Sequence, residues 1–239
     1  MYRNKKMPSK RYNQAFEARN GGEAISLTDA IAALARFPRA KFDESVDLAM
    51  RLGVDPKHSD QMVRGTVALP NGSGKTVRVA AFAADGPAAD AAKEAGADHG
   101  GLKELMEKVE GGWTDFDVAV ATPEAMKAGV AKLGRQLGPR GLMPTPKAGT
   151  VSDDLGKVIS EVKAGRVEFK VDKSANLQMP IGKVSFDTEK LIENAEAAII
   201  AVLKAKPDST KGTYLMSASL SATMSPSVKL DVKEISKLG

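Results

Sequence analysis

The sequence predicts a mixed two-domain fold: a split α+β sandwich made from both chain ends, with a Rossmann-like, three-layer α/β domain inserted between them. Three observations carry this. The middle of the chain alternates short apolar runs with helical stretches, the pattern of βαβ units on a parallel, doubly wound sheet. The last third instead shows strands of period two around one long amphipathic helix. Residues 1–66 hold one good helix and one good strand, too little to bury a core, so they need the C-terminal third. The expected limits are 1–66 with 161–239 for the split domain and 67–160 for the insert. The chain then crosses between domains near 66–70 and 159–163, and a double connection favours a hinge over free tumbling. Tandem packing of three small units is the alternative.

From the N-terminus, "MYRNKKMPSKRYNQAFEAR" carries six basic residues and one acid before a short helical stretch. It reads either as a frayed, solvated end or as a basic arm that orders on RNA. Met7 offers a second start that would remove Arg3, Lys5 and Lys6. Thr28 can cap a helix marked by Ile31, Leu34 and Ala35. Val46, Leu48, Met50 and Leu52 then alternate with Ser45, Asp47, Ala49 and Arg51, a half-buried strand. After Pro70, "TVRVAAFA" (76–83) reads as a buried strand and 87–95 as a helix. A short extended piece near Asp98 precedes a helix over 102–109. "FDVAVA" (116–121) is a further buried strand, and Pro123 opens a helix running toward Lys132.

"GRQLGPRGLMPTPKAGTV" (134–151) is too rich in glycine and proline for a regular element and reads as a stiff loop. Leu142 and Met143 would anchor it, leaving Arg135, Arg140 and Lys147 for a secondary RNA contact or the interdomain cleft. A helix over 154–162 follows. "RVEFKVD" points Val167, Phe169 and Val171 inward, and a second strand approaches Val184 and Phe186. Asp187 can cap a helix whose stripe is Leu191, Ala195, Ala198, Ile199 and Val202. A late strand sets Tyr214, Met216, Ala218 and Leu220 against Ser217, Ser219, Ser221 and Thr223, and a last one passes through Val228, Leu230 and Val232.

Composition excludes several classes of function. There is no cysteine, so disulfides, thiolate nucleophiles and cysteine-ligated zinc are out, and His58 and His99 alone make a histidine-rich metal site a poor prospect. No cofactor is expected. No apolar run approaches the ~20 residues that span a bilayer, so no membrane partner is expected. The basic N-terminus lacks the apolar stretch of a secretory signal and the absence of cysteine fits a reducing compartment, so the chain reads as cytoplasmic. The net charge of +5 is unevenly spread: +4 over 1–66, −1 over 67–160 and +2 over 161–239. Basic ends around a neutral middle point to a polyanion.

Catalysis finds little support. "GSGKT" (72–76) lacks the glycine that a phosphate loop needs five residues before Gly74, where Leu69 stands, and a strand rather than a helix should follow. His58 reads as a solvated loop residue and His99 as part of a glycine-rich turn, while Asp153 and Asp154 suit a helix start. The rival reading is a nucleotide-binding enzyme built on the middle α/β unit. It requires a glycine-rich turn after the first strand, where "ADGPAAD" holds only Gly86. RNA binding has more candidates. Lys41, Phe42 and Ser45 lie at the start of the first strand, Lys173 and Lys183 flank a later one, and Thr223, Met224 and Ser225 end another. Small hydroxyl side chains with few aromatics suit close approach to folded RNA, reading phosphates and 2′-hydroxyls rather than stacking on splayed bases.

Four blocks carry a family resemblance: "KFDESVDLAMRLGVDPKHSDQMVRGTVALPNG", "GRQLGPRGLMPTPKAGTV", "GRVEFKVDKSANLQMPIGKVSF" and "ATMSPSVKLDV". Together they resemble the bacterial ribosomal protein L1 family, in the family's order, from Lys10 to Val232. The resemblance implies a non-catalytic protein, monomeric within the ribosome, that holds the mobile stalk of large-subunit rRNA beside the tRNA exit site. It also implies help in releasing deacylated tRNA, and repression of the protein's own operon through a similar mRNA structure. The implied RNA-facing set is Lys41, Phe42, Ser45, Lys173, Thr223 and Met224, with Pro226 shaping the turn that presents the last two. Two departures stand out. Ser225 replaces the glycine of T-M-G-P-S, so a hydroxymethyl group must fit against RNA or point away. In the D-K-x-G-x-x-H pattern, Ala175 replaces glycine, which argues against a positive φ there, and Gln178 replaces histidine, keeping hydrogen bonding without titration.

Overall fold

Buried and open residues alternate without a break over Ser45–Leu52, and this strand becomes the centre of the main sheet. In the computed structural model the described residues are 9–19, 22–84 and 86–238, without the side chains of Ser59 and Lys147. The basic segment 1–8, with its two candidate starts, lies outside them. The fold is mixed α/β with several sheets. The chain divides into two compact units, Met1–Gly74 with Val167–Gly239, and Lys75–Arg166. Both crossings thus fall a few residues beyond the 66–70 and 159–163 expected.

The terminal unit begins with α1 (Lys10–Ala18), capped by the Ser9 hydroxyl, and α2 (Leu27–Arg36). Ser26, not Thr28, caps α2. Its Oγ accepts from the Asp29 N–H at 3.1 Å and donates to the Asp29 carboxylate at 2.8 Å, and that reciprocal pair starts the helix earlier than expected. β1 (Ser45–Leu52) and β2 (Arg64–Ala68) follow.

The inserted unit runs β3 (Val79–Phe82), α3 (Pro87–Glu94), β4 (His99–Gly101), α4 (Lys103–Glu110), β5 (Val118–Ala121), α5 (Pro123–Ala128), α6 (Gly134–Leu137) and α7 (Leu155–Lys163). Its three strands are parallel in the order β4-β3-β5. Side-chain parity explains why β3 is apolar throughout. Val79 and Ala81 join a cluster with Ile159 and Val162 of α7, while Ala80 and Phe82 join another with Leu105 and Val109 of α4. Both faces of the sheet are therefore covered.

Several expectations change here. The strand expected over 76–83 shortens to Val79–Phe82. The helix from Pro123 ends at Ala128, because Gly129 takes φ = 158° and a 3₁₀ turn (Val130–Leu133) continues instead. The segment 134–151 is only partly a loop. It opens with α6, makes a 3₁₀ turn at Pro146–Ala148, and ends with Val151 bridging Ala121 in parallel at the edge of β5. Leu137 is fully buried, and Leu142 and Met143 pack on the same cluster as expected. His99 is a strand residue, edge-on to Trp113, not part of a turn.

The chain returns to the terminal unit with β6 (Arg166–Lys170), β7 (Asn176–Lys183), α8 (Thr188–Lys204), β8 (Leu215–Ala222), β9 (Val228–Leu230) and α9 (Val232–Ile235). β7, β1, β8 and β9 form one antiparallel sheet in that order, and β2 pairs with β6. One face of the larger sheet packs its Val46, Leu48 and Met50 with Ile31 and Leu34 of α2 and Ala195, Ile199 and Val202 of α8. The other face is open. Again details shift. β7 stops at Lys183, before Val184 and Phe186. Asp187 makes no capping bond with its side chain and instead pairs with Lys190 at 3.0 Å. Met216 is 56% exposed rather than inward. The β1–β8 register slips there, Arg51 facing Ser217 and Leu52 facing Leu215, so Met216 is the extra residue of a bulge. Val232 begins a helix, because Asp231 caps it through the Lys233 N–H.

Candidate nucleic-acid interface

The first residues of β1 and the turn between β8 and β9 meet in space, although they lie far apart in sequence. Ser45 N–H donates to Thr223 Oγ1 at 3.0 Å, and Thr223 N–H donates back to Ser45 O at 3.0 Å. On the other side of β1, Ser45 faces Lys183 of β7. The Lys183 ammonium donates to Ser45 Oγ at 3.0 Å. Asp43 then fixes the loop beyond β7, accepting from Ser185 N–H at 3.2 Å and from its hydroxyl at 2.8 Å. The result is a rim at one end of the sheet that gathers Lys41, Phe42, Ser45, Lys183, Thr223 and Met224. Phe42 is 53% and Met224 51% exposed, unusual for large apolar side chains that touch no partner. Phe42 borders an open cavity of about 280 Å³ with Arg39, Asp43, Glu44, Val184 and Ser185.

Ser225 closes the β8–β9 turn on itself. Its Oγ accepts from Ala222 N–H at 3.0 Å and lies 3.3 Å from Ala222 O, so the hydroxymethyl group points back into the turn. Pro226, buried, follows directly. Gln178 lies on the open face near the far end of β7, an edge strand of the sheet, opposite Ala49 of β1. Lys173 is exposed in the β6–β7 turn, near the end where Asn176 faces Arg51. Six strand residues, about 20 Å, separate that end from Ser45. The expected set is therefore a cluster of eight, one residue on the adjoining face, and one lysine at the far end.

The open face between them is hydroxyl-rich. Ser217, Ser219 and Ser221 of β8 sit beside Arg51, Ala49 and Asp47 of β1. Burial raises the Asp47 carboxyl above its ordinary value, and the Lys183 ammonium pulls part of that back. The β6–β7 turn corrects an expectation: Ala175 does hold a positive φ, 62°. Asp172 imposes it, its Oδ1 accepting from Ser174 N–H at 2.7 Å and Asn176 N–H at 2.8 Å. The bond from Asn176 is the main reason this carboxyl sits below its usual range.

Two residues of the rim escaped the sequence reading. Glu44 is only 3% exposed, and its carboxylate accepts from Ala40 N–H at 2.8 Å and Met224 N–H at 2.9 Å. Arg11 of α1 approaches that carboxylate at 3.8 Å and donates to Met224 O at 2.9 Å. The signal for Glu44 was present: it stands two residues before Val46, on the inward parity of β1.

In the inserted unit, Arg135 is exposed on α6, Arg140 donates to Thr114 Oγ1, and the side chain of Lys147 lies outside the described residues. Lys75 of "GSGKT" is not offered to a phosphate. It binds Asp117 at 2.7 Å, and an extended segment rather than a helix follows it. Asp154 caps α7 through the Lys157 N–H, as expected. Among the described residues no three acidic or histidine side chains gather to hold a metal, and no helix is long and apolar enough to cross a membrane.

The chain is similar to known proteins over nearly its whole length. The sequence model of the ribosomal protein L1p/L10e family matches residues 34–226. The chain is 52% identical over 227 residues to the large ribosomal subunit protein uL1 of Protochlamydia amoebophila, covering 95% of each chain. It is 54% identical over 223 residues to that of Cutibacterium acnes, covering 93% of this chain and 95% of the relative. The relative from Solidesulfovibrio magneticus is 52% identical over 229 residues, covering 96% and 97%. With the family match and identities above half across nearly the whole length, the chain belongs to the ribosomal protein L1p/L10e family.

Proposed function

We propose that the protein is a structural constituent of the large ribosomal subunit, in the cytoplasm, bound to folded ribosomal RNA through the rim around Ser45 and the adjoining open sheet face. The family is one of structural proteins rather than enzymes. The observation that carries the reading is the rim itself. Thr223 and Met224 are held on an ordered backbone beside Ser45 and Lys183, with two large apolar side chains left uncovered. Small hydroxyl groups on a rigid sheet suit ribose and phosphate contacts on a preformed RNA shape.

The finer reading is that this RNA is the mobile stalk beside the tRNA exit site. The protein there assists release of deacylated tRNA, as a single copy per ribosome, and represses its own operon by binding an mRNA that mimics the stalk. We read the terminal unit as the RNA-binding domain and the parallel-sheet unit as a Rossmann-like insert. The covered faces of β3 support the second assignment.

A chemical footprint of the intact protein on total large-subunit rRNA tests the reading. Protection should be confined to one folded segment and should weaken steeply with salt, since phosphate contacts release counterions. Uniform or absent protection, or a flat salt titration, would refute it.

A further inference from the structure

We infer that the Arg11–Glu44 pair is a positioning device that sets the backbone at Met224 before RNA arrives, a role that rests on the RNA-binding reading above. Glu44 occupies an inward position of the β1 pattern, where Val46, Leu48 and Met50 continue as apolar residues. A carboxylate there is costly unless its partners are specific and well placed. Its partners all converge on the rim. One oxygen accepts from Ala40 N–H and the other from Met224 N–H, at 2.8 and 2.9 Å. Arg11 completes the arrangement, donating to Met224 O at 2.9 Å and Pro38 O at 3.1 Å.

Both backbone polar groups of Met224 are thus held by one ion pair, from residues 180 and 213 positions away. The same pair ties down the segment 38–40 that leads into Lys41 and Phe42. Glu44 is itself too buried to touch RNA, so it acts through Met224. Without the pair, the bonds of Ser225 to Ala222 still close the turn, and the one from Ser225 N–H keeps the plane of the Met224–Ser225 peptide. None of them holds the Met224 N–H, which Glu44 alone accepts among the described residues. The binding-competent turn would then be only fractionally populated, and the dissociation constant would rise by the inverse of that fraction. Such a loss falls on the association rate. Loss of a contacting side chain falls mainly on dissociation. By the same logic, α1 contributes to binding through Arg11 without approaching the RNA.

The test uses the full chain with Glu44→Gln and Arg11→Gln, and Met224→Ala as the contact comparator. Binding kinetics are read on immobilised total large-subunit rRNA, and the Met224 amide is followed by ¹H–¹⁵N NMR in the free protein. Glu44→Gln should weaken binding about tenfold, mostly through slower association, as the competent fraction falls. Its Met224 amide should shift or broaden when free and sharpen on adding RNA, whereas Met224→Ala should speed dissociation. Should Glu44→Gln lose cooperative melting, Arg11→Gln carries the test, with a smaller loss of the same kinetic kind. Unchanged affinity in a folded variant overturns the positioning role. So does a loss confined to dissociation with the Met224 amide unmoved. Absence of saturable binding by the unaltered protein overturns the RNA-binding reading itself, before any substitution is compared.

Discussion

At Ala175 an ordinary L-residue holds φ = 62°, which costs about 1–2 kcal/mol relative to a right-handed conformation. The Asp172 carboxylate and the bond from Leu52 N–H to Ala175 O compel it. Ala175→Gly should therefore raise unfolding stability by about 0.5–1 kcal/mol, after the glycine's extra freedom in the unfolded chain is counted. Urea denaturation would show it, and a destabilised variant would mean that the lost methyl packing outweighs the relieved backbone. This residue marks where sequence reasoning stops. Residue type argues against a positive φ, and only hydrogen bonds formed in the folded turn impose one. Ser225 is the opposite case, since its hydroxyl bonds into its own turn and the backbone adapts without a positive φ. Glu44 was legible in principle, because strand parity alone places it inward.

Elements were legible where apolar periodicity spoke, and illegible where a hydrogen bond or a slipped register decided. The stripe of α8 and the alternation of β1 stand as expected, but the bulge at Met216 follows from pairing with β1, a partner 165 residues upstream. The attachment of α8 to the 71–72 turn was equally invisible. Asn194, fully buried, accepts from Asn71 N–H at 3.0 Å and donates to Gly72 O at 2.9 Å and Ile181 O at 2.8 Å. Asn194→Ala strands those groups and should cost about 2–4 kcal/mol in a chemical unfolding titration. A cost within experimental error would show that water replaces the amide. At the entry to β3, hydrogen bonding from Lys75 and then Arg78 draws the Asp117 carboxyl down to about 2. A lowered folded-state pKa gives stability that is present above the ordinary value of 3.8 and lost as pH falls toward 2. Lys75 and Arg78 are substantially exposed, so screening leaves about 1 kcal/mol of the nominal gain. Asp117→Asn should lower the melting temperature at pH 7 and change it little near pH 2. An equal deficit at both would remove the electrostatic explanation.

Across the whole molecule, charge follows the two units rather than the chain. Lys and Arg outnumber Asp and Glu by 22 to 17 in the terminal unit, and balance at 13 each in the inserted one. The entire net charge of +5 therefore falls in the terminal unit, the one that carries the rim. A chain joining residues 1–74 directly to 167–239 should keep its affinity for large-subunit rRNA to within about threefold, and residues 75–166 alone should bind weakly, with a shallow salt dependence. Gel-shift comparison decides this, and equal binding by the isolated insert would move the RNA site there. The split organisation was readable from the poverty of elements at the N-terminus. The junctions were not, because the turn through Gly74 belongs to the terminal unit by its packing on α8.

β1, an inner strand of the four-stranded sheet, finds both its neighbours, β7 and β8, in the C-terminal third. On a translating ribosome it must wait for residues 176–222 to emerge, roughly 10–30 s at ordinary elongation rates. The inserted unit, complete by Arg166, is free to fold during that interval. Since Ser45 and Thr223 are 178 residues apart, no nascent or prematurely ended chain that stops short of Thr223 carries the rim. With the rim as the proposed RNA-binding site, the order of synthesis acts as proofreading, reserving RNA binding for a nearly finished polypeptide.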